Sequence, residues 1–330
     1  MRKFIILCIV LLGGCDQTQQ VDIVGNTMGT TYSIKIISTD IDQANLTAEV
    51  ETRLRDINGL MSTYMPDSEL SRFNQSPANE WFNVSPEIIE VLAMAADIYR
   101  LSEGSFDVTV GPLVNLWGFG PNPGPDQVPA AKQINEILET IGFEHLQVRA
   151  DALRKNVDLY VDLSAIAKGY AVDQLASLLD NHGIQRYLVE IGGELRGKGV
   201  NAQGQPWRVA VELPESNQRI PYRIIELVDM GMATSGDYRN YFEQGGVRYS
   251  HTIDPATGYP IRHNLASVTV LAPSTAMADG LATAIDVMGA DRGLALAEAQ
   301  GLAVFVILKR GDGFEAQYST AFAPYLKAEE

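Results

Sequence analysis

The sequence predicts an α+β fold of mixed or antiparallel sheets with packed helices. Strand-like alternation recurs along the second half of the chain, at residues 187–199, 206–213, 223–229, 267–272 and 302–309. These segments show few of the regular strand–helix–strand spacings that a doubly wound parallel sheet requires. After its leader the chain is long enough for one large domain or two ordinary ones.

Residues 157–163 and the helix expected after them are central to the prediction. Apolar and polar side chains alternate from Val157 to Leu163, which is the pattern of a half-buried strand. From Ala165 the apolar residues follow a helical period instead, and an Asn-His-Gly sequence at 181–183 is expected to end the helix.

Asp162 and Lys168 would lie near the start of that helix, where free N–H groups and the helix dipole favour an anion. One interpretation is therefore an anion-binding site. The other is purely structural, with Asp162 or Ser164 only capping the helix.

The other expected elements have ordinary start and stop signals. A helix should begin after Ser85, because Pro86 suits the first helical position. In chain order we expect a strand running to Ile36, a helix at 46–60, a polar turn-rich segment at 61–74, a helix at 85–101, a loop at 121–130, a short helix at 131–141, a strand region at 142–153 and a helix at 274–288.

The first fifteen residues have the pattern of a bacterial lipoprotein leader. Arg2 and Lys3 precede an apolar stretch, Phe4 to Leu12, that is too short to span a bilayer as a mature anchor. The sequence Leu-Gly-Gly-Cys that ends at Cys15 resembles a lipoprotein box, which is cleaved before the cysteine and lipidated on it. The alternative is a plain signal peptide with a cysteine present by chance.

This leader divides the chain into a signal peptide at 1–14, a lipidated tether at 15–21 and a domain at 22–330. Asp16 directly after the lipidated residue resembles an inner-membrane retention signal. The expected location is therefore the periplasmic side of the inner membrane.

Composition excludes several classes of function. Removal of the leader with its two cations takes the formal net charge from −16 to −18, which argues against nucleic-acid binding. The two cysteines are Cys8, inside the leader, and Cys15, so the domain has none for a disulfide, a thiolate metal site or a nucleophile.

Asp279 and Thr283 are spaced four apart on a predicted helix and so share one face. Their neighbours on the helix are mostly Ala and Gly, which leaves room for a ligand to approach. A carboxylate and a hydroxyl are hard oxygen ligands of the kind that Mg²⁺ accepts, with waters and phosphate oxygens completing its shell. The alternative is a buried Asp satisfied by the Thr hydroxyl within helix packing.

Two further positions have open interpretations. His251 precedes a strong turn and is either a general base or a donor to a turn carbonyl. Trp117 and Phe119, between glycines, either stack on a flat ring or pack in an aromatic core. The glycines at 192–199 do not form a dinucleotide-binding loop, because a strand rather than a helix is expected after them.

Seven motifs follow one another along the chain and together carry a resemblance to a known family. They are Met28-Gly-Thr-Thr-Tyr, Gly104-x-Phe-Asp-x-Thr-Val-Gly-Pro-Leu-Val-x-Leu-Trp-Gly-Phe-Gly120, Asp162-Leu-Ser-x-Ile-Ala-Lys-Gly-Tyr-Ala171, Glu190-Ile-Gly-Gly-Glu194, Thr234-Ser-Gly-x-Tyr238, Ser250-His-x-Ile-Asp-Pro-x-Thr-Gly258 and Ala278-Asp-x-Leu-Ala-Thr283. In this order they resemble the ApbE family of FAD:protein FMN transferases, over nearly all of the mature chain.

The resemblance implies a fold and a site. In the family, FAD lies in a cleft between two subregions of an α+β fold. Matched motif by motif, the implied residues are Met28, Tyr64, Trp117, Gly118, Phe119, Asp162, Lys168 and Ile253 for FAD, the backbone carbonyl of Ala165 with Asp279 and Thr283 for Mg²⁺, and His251 with Asp279 for catalysis. Some relatives have a second Asp where this chain has Ala282, which leaves a second metal ion open.

The resemblance also implies a reaction: Mg²⁺-dependent transfer of FMN from FAD to a Thr or Ser hydroxyl of an acceptor protein, with release of AMP. The expected acceptors are subunits of Na⁺-translocating or Rnf-type electron-transport complexes. The alternatives are an FAD pyrophosphatase, in which water replaces the protein hydroxyl, and a lipid-anchored flavin-binding protein with no enzymatic activity.

Overall fold

A computed structural model describes residues 19–121, 127–215, 220–236 and 240–326. The predicted leader, Cys15 with its lipidation, and Asp16 therefore lie outside the described residues, as does half of the loop predicted at 121–130.

The described residues form fifteen strands, and eight of these make one large sheet. In chain order they are β1 (Gln19–Thr27), β2 (Thr30–Ser38), β3 (Phe82–Asn83), β4 (Leu146–Arg149), β5 (Ala152–Lys155), β6 (Tyr187–Ile191), β7 (Glu194–Lys198), β8 (Trp207–Glu212), β9 (Pro221–Leu227), β10 (Met230–Ser235), β11 (Tyr241–Gln244), β12 (Val247–Ser250), β13 (Leu265–Ala272), β14 (Ala303–Arg310) and β15 (Gly313–Tyr318). The large sheet has the order β1-β2-β6-β7-β10-β13-β14-β15, and each neighbouring pair is antiparallel.

The smaller sheets are β3-β5-β4, β8-β9 and β11-β12. The helices of the described residues are α1 (Gln43–Met61), α2 (Glu69–Gln75), α3 (Pro86–Leu101), α4 (Gly111–Leu116), α5 (Ala131–Leu138), α6 (Ala167–Asn181), α7 (Thr275–Met288) and α8 (Ala290–Gln300). The predicted α+β class with mixed or antiparallel sheets and packed helices is confirmed.

The large sheet is buried on both faces at its centre. Along β14, Val304, Val306 and Leu308 enter the main core, which they share with α1, α3, α6 and α7. Phe305 and Ile307 between them enter a second core with the β8–β9 hairpin and the 3₁₀ turn at 320–325. Because each face is covered, β14 begins with six consecutive buried apolar residues in place of apolar–polar alternation.

The prediction of a strand at 157–163 is wrong, although its burial pattern is right. Leu159, Val161 and Leu163 are buried, but among the described residues the segment pairs with no strand. Its neighbour is α2, whose Asn74 side chain donates to the Val161 carbonyl and accepts from the Val161 N–H, both at 2.8 Å. One amide side chain thus satisfies both backbone groups, as a partner strand would.

Other expectations need smaller corrections. The turn-rich segment at 61–74 contains all but the last residue of α2. This helix begins after Ser68, whose hydroxyl accepts from the Ser71 N–H. β1 begins at Gln19, so residues 19–21 of the expected tether are part of a paired strand. Within the described ranges, no helix combines the length and the apolar character needed to cross a membrane.

Candidate active site

A cleft of about 430 Å³ collects most of the residues that the sequence singled out. Its walls come from the start of α6 and the residues before it, from α7, from the turn between β6 and β7, from the end of β10 and from the segments 105–110 and 251–255. The expected residues that line it are Tyr64, Phe119, Asp162, Ala165, Lys168, His251, Ile253, Asp279 and Thr283.

Helix α7 brings Asp279 and Thr283 to the cleft on one face. The helix begins after Ser274, whose hydroxyl caps it by accepting from the Met277 N–H in the first turn. Asp279 is only 3% exposed. The expected alternative, an Asp279 satisfied by Thr283, is not what the structure shows. Asp279 accepts from a backbone N–H of α6, and the Thr283 hydroxyl lies 3.2 Å from the Ser235 hydroxyl.

Gly169 sets the distance between α6 and α7. Its backbone N–H donates to Oδ2 of Asp279 at 3.0 Å. A Cβ at this position would lie 2.4 Å from the Thr275 carbonyl oxygen, closer than backbone atoms allow. The two helices therefore cross with backbone against backbone, and glycine is required for that approach.

Asp173, one turn further along the same face of α6, also holds α7 against α6. Its carboxylate accepts from the Thr275 and Ala276 N–H groups, both at 3.0 Å, and from the Ser274 hydroxyl at 2.8 Å. It thereby satisfies free N–H donors at the N-terminus of α7, where the helix dipole also stabilises a negative charge. Arg196 pairs with this carboxylate at 3.0 Å.

Lys168 lies between two buried carboxylates. Its Nζ atom is 2.5 Å from Oε1 of Glu194 and 3.8 Å from Oδ1 of Asp279. Burial acts to lower the pKa of Lys168, but the two carboxylates outweigh it and raise that pKa above its ordinary value. Burial also raises the pKa of Asp279 and takes the pKa of Glu194 to about 7, while the Lys168 charge opposes both shifts.

Asp162 reaches the cleft by a local turn, and it does not cap α6. Its Oδ1 atom accepts from the Ser164 N–H at 2.9 Å and from the Ser164 hydroxyl at 2.5 Å. This closes a turn ahead of the helix, which starts after Ile166 with no side-chain cap. The capping alternative is therefore wrong for both Asp162 and Ser164.

His251 lines the cleft and bonds a backbone carbonyl. Its Nδ1 atom lies 3.2 Å from the Asn240 carbonyl oxygen, which can only accept, so Nδ1 carries the proton. In the neutral ring Nε2 is then the basic nitrogen. The His251 ring meets Phe119 edge-on with centroids 6.3 Å apart, which orients it at the cleft wall.

Trp117, Gly118 and Met28 do not line the cleft. Trp117 is 1% exposed, stacks 5.5 Å from Tyr249 and donates from Nε1 to the Gly258 carbonyl at 2.9 Å. Of the two interpretations of Trp117, aromatic core packing is thus the one observed. Trp117 follows Leu113 by four residues, a helical spacing that puts both on the buried side of α4.

Gly118 and Met28 instead turn the backbone. Gly118 has a φ of 85°, which redirects the chain after Trp117 so that Phe119 reaches the cleft. Met28, with a φ of 49°, lies in the tight turn between β1 and β2.

Several lining residues, among them Glu194, Asp107, Ser235 and Asp286, were given no role in the site from the sequence, although the first three stand in the quoted motifs. Glu194 had a signal that could have identified it: a lone carboxylate opening a buried strand directly after two glycines. Asp107 is buried, with its Oδ1 accepting from the Thr109 N–H and hydroxyl, and burial raises its pKa. Asp107 had its motif position as a signal, but its burial depends on distant segments and could not be predicted from the local pattern.

Comparison with known proteins gives one family over nearly the whole chain. The model of the ApbE family matches residues 28–306. The FAD:protein FMN transferase of Vibrio cholerae serotype O1 is 50% identical over 332 aligned positions, 99% of each chain. The solved structure of the flavin transferase ApbE from Vibrio cholerae covers 94% of this chain and 100% of its own, with a TM-score of 0.88 at 50% identity. The apo structure of the Pseudomonas stutzeri flavinyl transferase ApbE gives 0.88 at 43% identity, covering 95% of this chain and 99% of its own.

Proposed function

This chain belongs to the ApbE family, which makes it a flavin transferase with FAD as the donor, and we propose that it transfers FMN to a Thr or Ser hydroxyl of an acceptor protein in a Mg²⁺-dependent reaction that releases AMP. The donor and the need for an acceptor protein follow from the family. The metal, the acceptor hydroxyl and the leaving group are the proposed parts.

The observation that supports the proposal is that one cleft is lined by both hard oxygen donors and aromatic side chains. Asp279 and Thr283 lie on one wall, and the aromatic side chains of Tyr64 and Phe119 lie on others. Tyr64 is 64% exposed, so its ring is available to stack on a flat ligand. A dinucleotide needs this combination, since it has both a charged pyrophosphate and planar rings.

The donor set fits Mg²⁺. Asp279 supplies a carboxylate, Thr283 a hydroxyl and Ala165 a backbone carbonyl, all hard oxygen ligands. No cluster of three His, Cys, Asp or Glu side chains with metal-binding geometry exists among the described residues, so phosphate oxygens and waters would complete the shell. When bound, Mg²⁺ would neutralise charge on the FAD pyrophosphate.

The chain's own residues then serve to position groups and to accept a proton. The acceptor hydroxyl oxygen forms a bond to the phosphorus next to riboflavin, and the bond from that phosphorus to the bridging oxygen breaks, so that AMP leaves. The hydroxyl proton passes to Nε2 of His251, whose tautomer is set by Asn240. Such a transfer relies on positioning more than on covalent chemistry by the enzyme.

We extend the proposal to location and acceptors. Lipidation of Cys15 would anchor the enzyme on the periplasmic side of the inner membrane. Acceptors there would be subunits of Na⁺-translocating or Rnf-type electron-transport complexes. The support for this part is the leader sequence and the family resemblance.

The test is to incubate the purified protein with FAD, Mg²⁺ and a candidate acceptor. We expect AMP in solution and covalent flavin on the acceptor, mapped by mass spectrometry to one Thr or Ser. An acceptor with that residue changed to Ala is the control. Free FMN with AMP and no labelled acceptor would instead indicate a pyrophosphatase, and bound FAD without AMP would indicate a flavin-binding protein.

A further inference from the structure

Glu194 is buried in the cleft in an arrangement that the proposed reaction does not use. It opens β7, is 3% exposed and lines the same cleft as Asp279. Its Oε1 atom lies 2.5 Å from the Lys168 ammonium, and its Oε2 atom has no hydrogen-bond partner within the described ranges. A buried carboxylate with one unsatisfied oxygen is costly, and its presence calls for a reason.

Lys168 links Glu194 to the proposed metal ligand. The ammonium is in hydrogen-bonding contact with Glu194 but stands 3.8 Å from Oδ1 of Asp279, beyond hydrogen-bond distance. The other Asp279 oxygen, Oδ2, already accepts from the Gly169 N–H. Oδ1 is therefore the atom for which the Lys168 ammonium and a metal ion would compete.

We propose that Glu194 is a positioning residue that holds the Lys168 ammonium off Asp279 and so keeps that carboxylate available to a divalent cation. This inference rests on the metal site of the proposed function. Without the Glu194 charge, the ammonium would move to Oδ1 of Asp279, the other carboxylate it faces, and would compete with the metal there. Two carboxylates around one ammonium also leave a net negative charge that attracts a cation, and loss of Glu194 removes it.

The test uses Mn²⁺ as the probe, with free Mn²⁺ measured by electron paramagnetic resonance on the purified full chain without FAD. Glu194→Gln keeps the side-chain shape and removes the charge. We expect it to weaken Mn²⁺ binding by about 10- to 100-fold, the usual effect of losing an outer-shell partner. Adding Lys168→Met to Glu194→Gln removes the competing ammonium and should recover part of the affinity.

Two further observations separate this role from a general loss of structure. A crystal structure of metal-free Glu194→Gln should show Lys168 Nζ within hydrogen-bond distance of Asp279. Lys198→Met is the matched control, because it removes a cation at the other end of β7 that pairs with Asp180 and not with the cleft. It should leave Mn²⁺ affinity unchanged.

The proposal is overturned if Glu194→Gln binds Mn²⁺ as tightly as the parent, or if the added Lys168→Met recovers nothing. Should Glu194→Gln fail to fold, Lys168→Met alone decides the matter: it should bind Mn²⁺ at least as tightly as the parent, and weaker binding would contradict a competing ammonium. Undiminished Mn²⁺ binding by Asp279→Ala would instead remove the metal site itself, and with it the proposed function.

Discussion

The backbone N–H of Gly169 donates to the Asp279 carboxylate, so the position of the proposed metal ligand depends directly on how closely α6 approaches α7. The carboxylate of Asp173 holds the start of α7 against α6 at the next turn. The contacts that pack these two helices together therefore also position the proposed site. A change in the spacing of the helices should reduce catalysis before it unfolds the protein.

Gly169→Ala tests that dependence. The new methyl group would meet the backbone of Thr275 at 2.4 Å, so the helices must separate. We expect a loss of about 1–3 kcal/mol in the free energy of unfolding, typical of overpacking, and a fall in flavin transfer larger than the unfolded fraction explains. Denaturant melts beside transfer assays measure both.

Gly59→Ala is the matched control, because a Cβ at this helical glycine meets no atom within 4 Å beyond its chain neighbours and its own helix backbone. It should leave transfer unchanged and stabilise the protein by up to about 1 kcal/mol, since alanine is the better helix former. Equal transfer rates and equal stabilities of Gly169→Ala and Gly59→Ala would show that catalysis does not depend on the α6–α7 spacing.

Asn74→Ala tests the side chain that replaces a partner strand. It leaves the buried N–H and C=O of Val161 without partners, at a cost of about 1–3 kcal/mol for each group. Since Asp162 follows directly, the KM for FAD should rise while the protein remains folded. Asn74→Asp keeps the acceptor and loses the donor, so it should fall between Asn74→Ala and the parent in both measurements. An unchanged KM in folded Asn74→Ala would separate this segment from FAD binding.

The sequence predicted the α+β class and nine lining residues because these depend on local patterns and on motifs. It could not predict which distant segment packs against a given buried segment. The alternation at 157–163 indicates burial on one side, which a strand or a helix such as α2 can equally provide. Trp117 likewise has an aromatic side chain that could stack on a ligand, but Tyr249, from a distant part of the chain, packs against its ring.

Tyr64→Ala and Trp117→Ala should separate stacking from core packing. Tyr64 is exposed at the cleft, and stacking contacts are worth about 1–3 kcal/mol by analogy with bases on aromatic rings. Tyr64→Ala should therefore weaken FAD binding by roughly tenfold or more with an unchanged melting temperature. Tyr64→Phe keeps the ring and should bind normally.

Trp117→Ala should do the reverse and destabilise the fold by about 3–5 kcal/mol, as large-to-small core changes do. Scanning calorimetry measures the stability of each variant, and titration calorimetry with FAD measures its affinity. A stable Trp117→Ala protein with lost FAD affinity would restore the stacking interpretation of Trp117.

Cys15→Ser tests the predicted anchor. Lipidation requires the cysteine thiol, so the variant should move from the membrane fraction to the soluble periplasmic fraction, while the purified enzyme keeps its transfer activity. Fractionation followed by immunoblotting measures this. A Cys15→Ser protein that stays as membrane-bound as the parent would contradict the interpretation of the leader.

Asp279→Ala and Thr283→Val test the metal site against a packing role. If Asp279 holds Mg²⁺, its loss should abolish transfer at any practical Mg²⁺ concentration. Thr283→Val keeps the shape and deletes one weak ligand, so the remaining activity should rise with added Mg²⁺ by mass action. Ser235→Ala is the comparison variant. It removes the hydroxyl that Thr283 contacts but leaves the Thr283 hydroxyl itself, so its Mg²⁺ dependence should change less than that of Thr283→Val.

A packing role for these two side chains predicts a different pattern. Loss of the Asp279 bond to Gly169, or of the Thr283 bond to Ser235, would then lower stability by roughly 1–3 kcal/mol. Activity would fall only with the folded fraction and would not respond to Mg²⁺. Transfer rates measured against Mg²⁺ concentration, beside a melting curve for each variant, distinguish the two roles. Full activity in a folded Asp279→Ala protein is incompatible with a metal ion at this carboxylate.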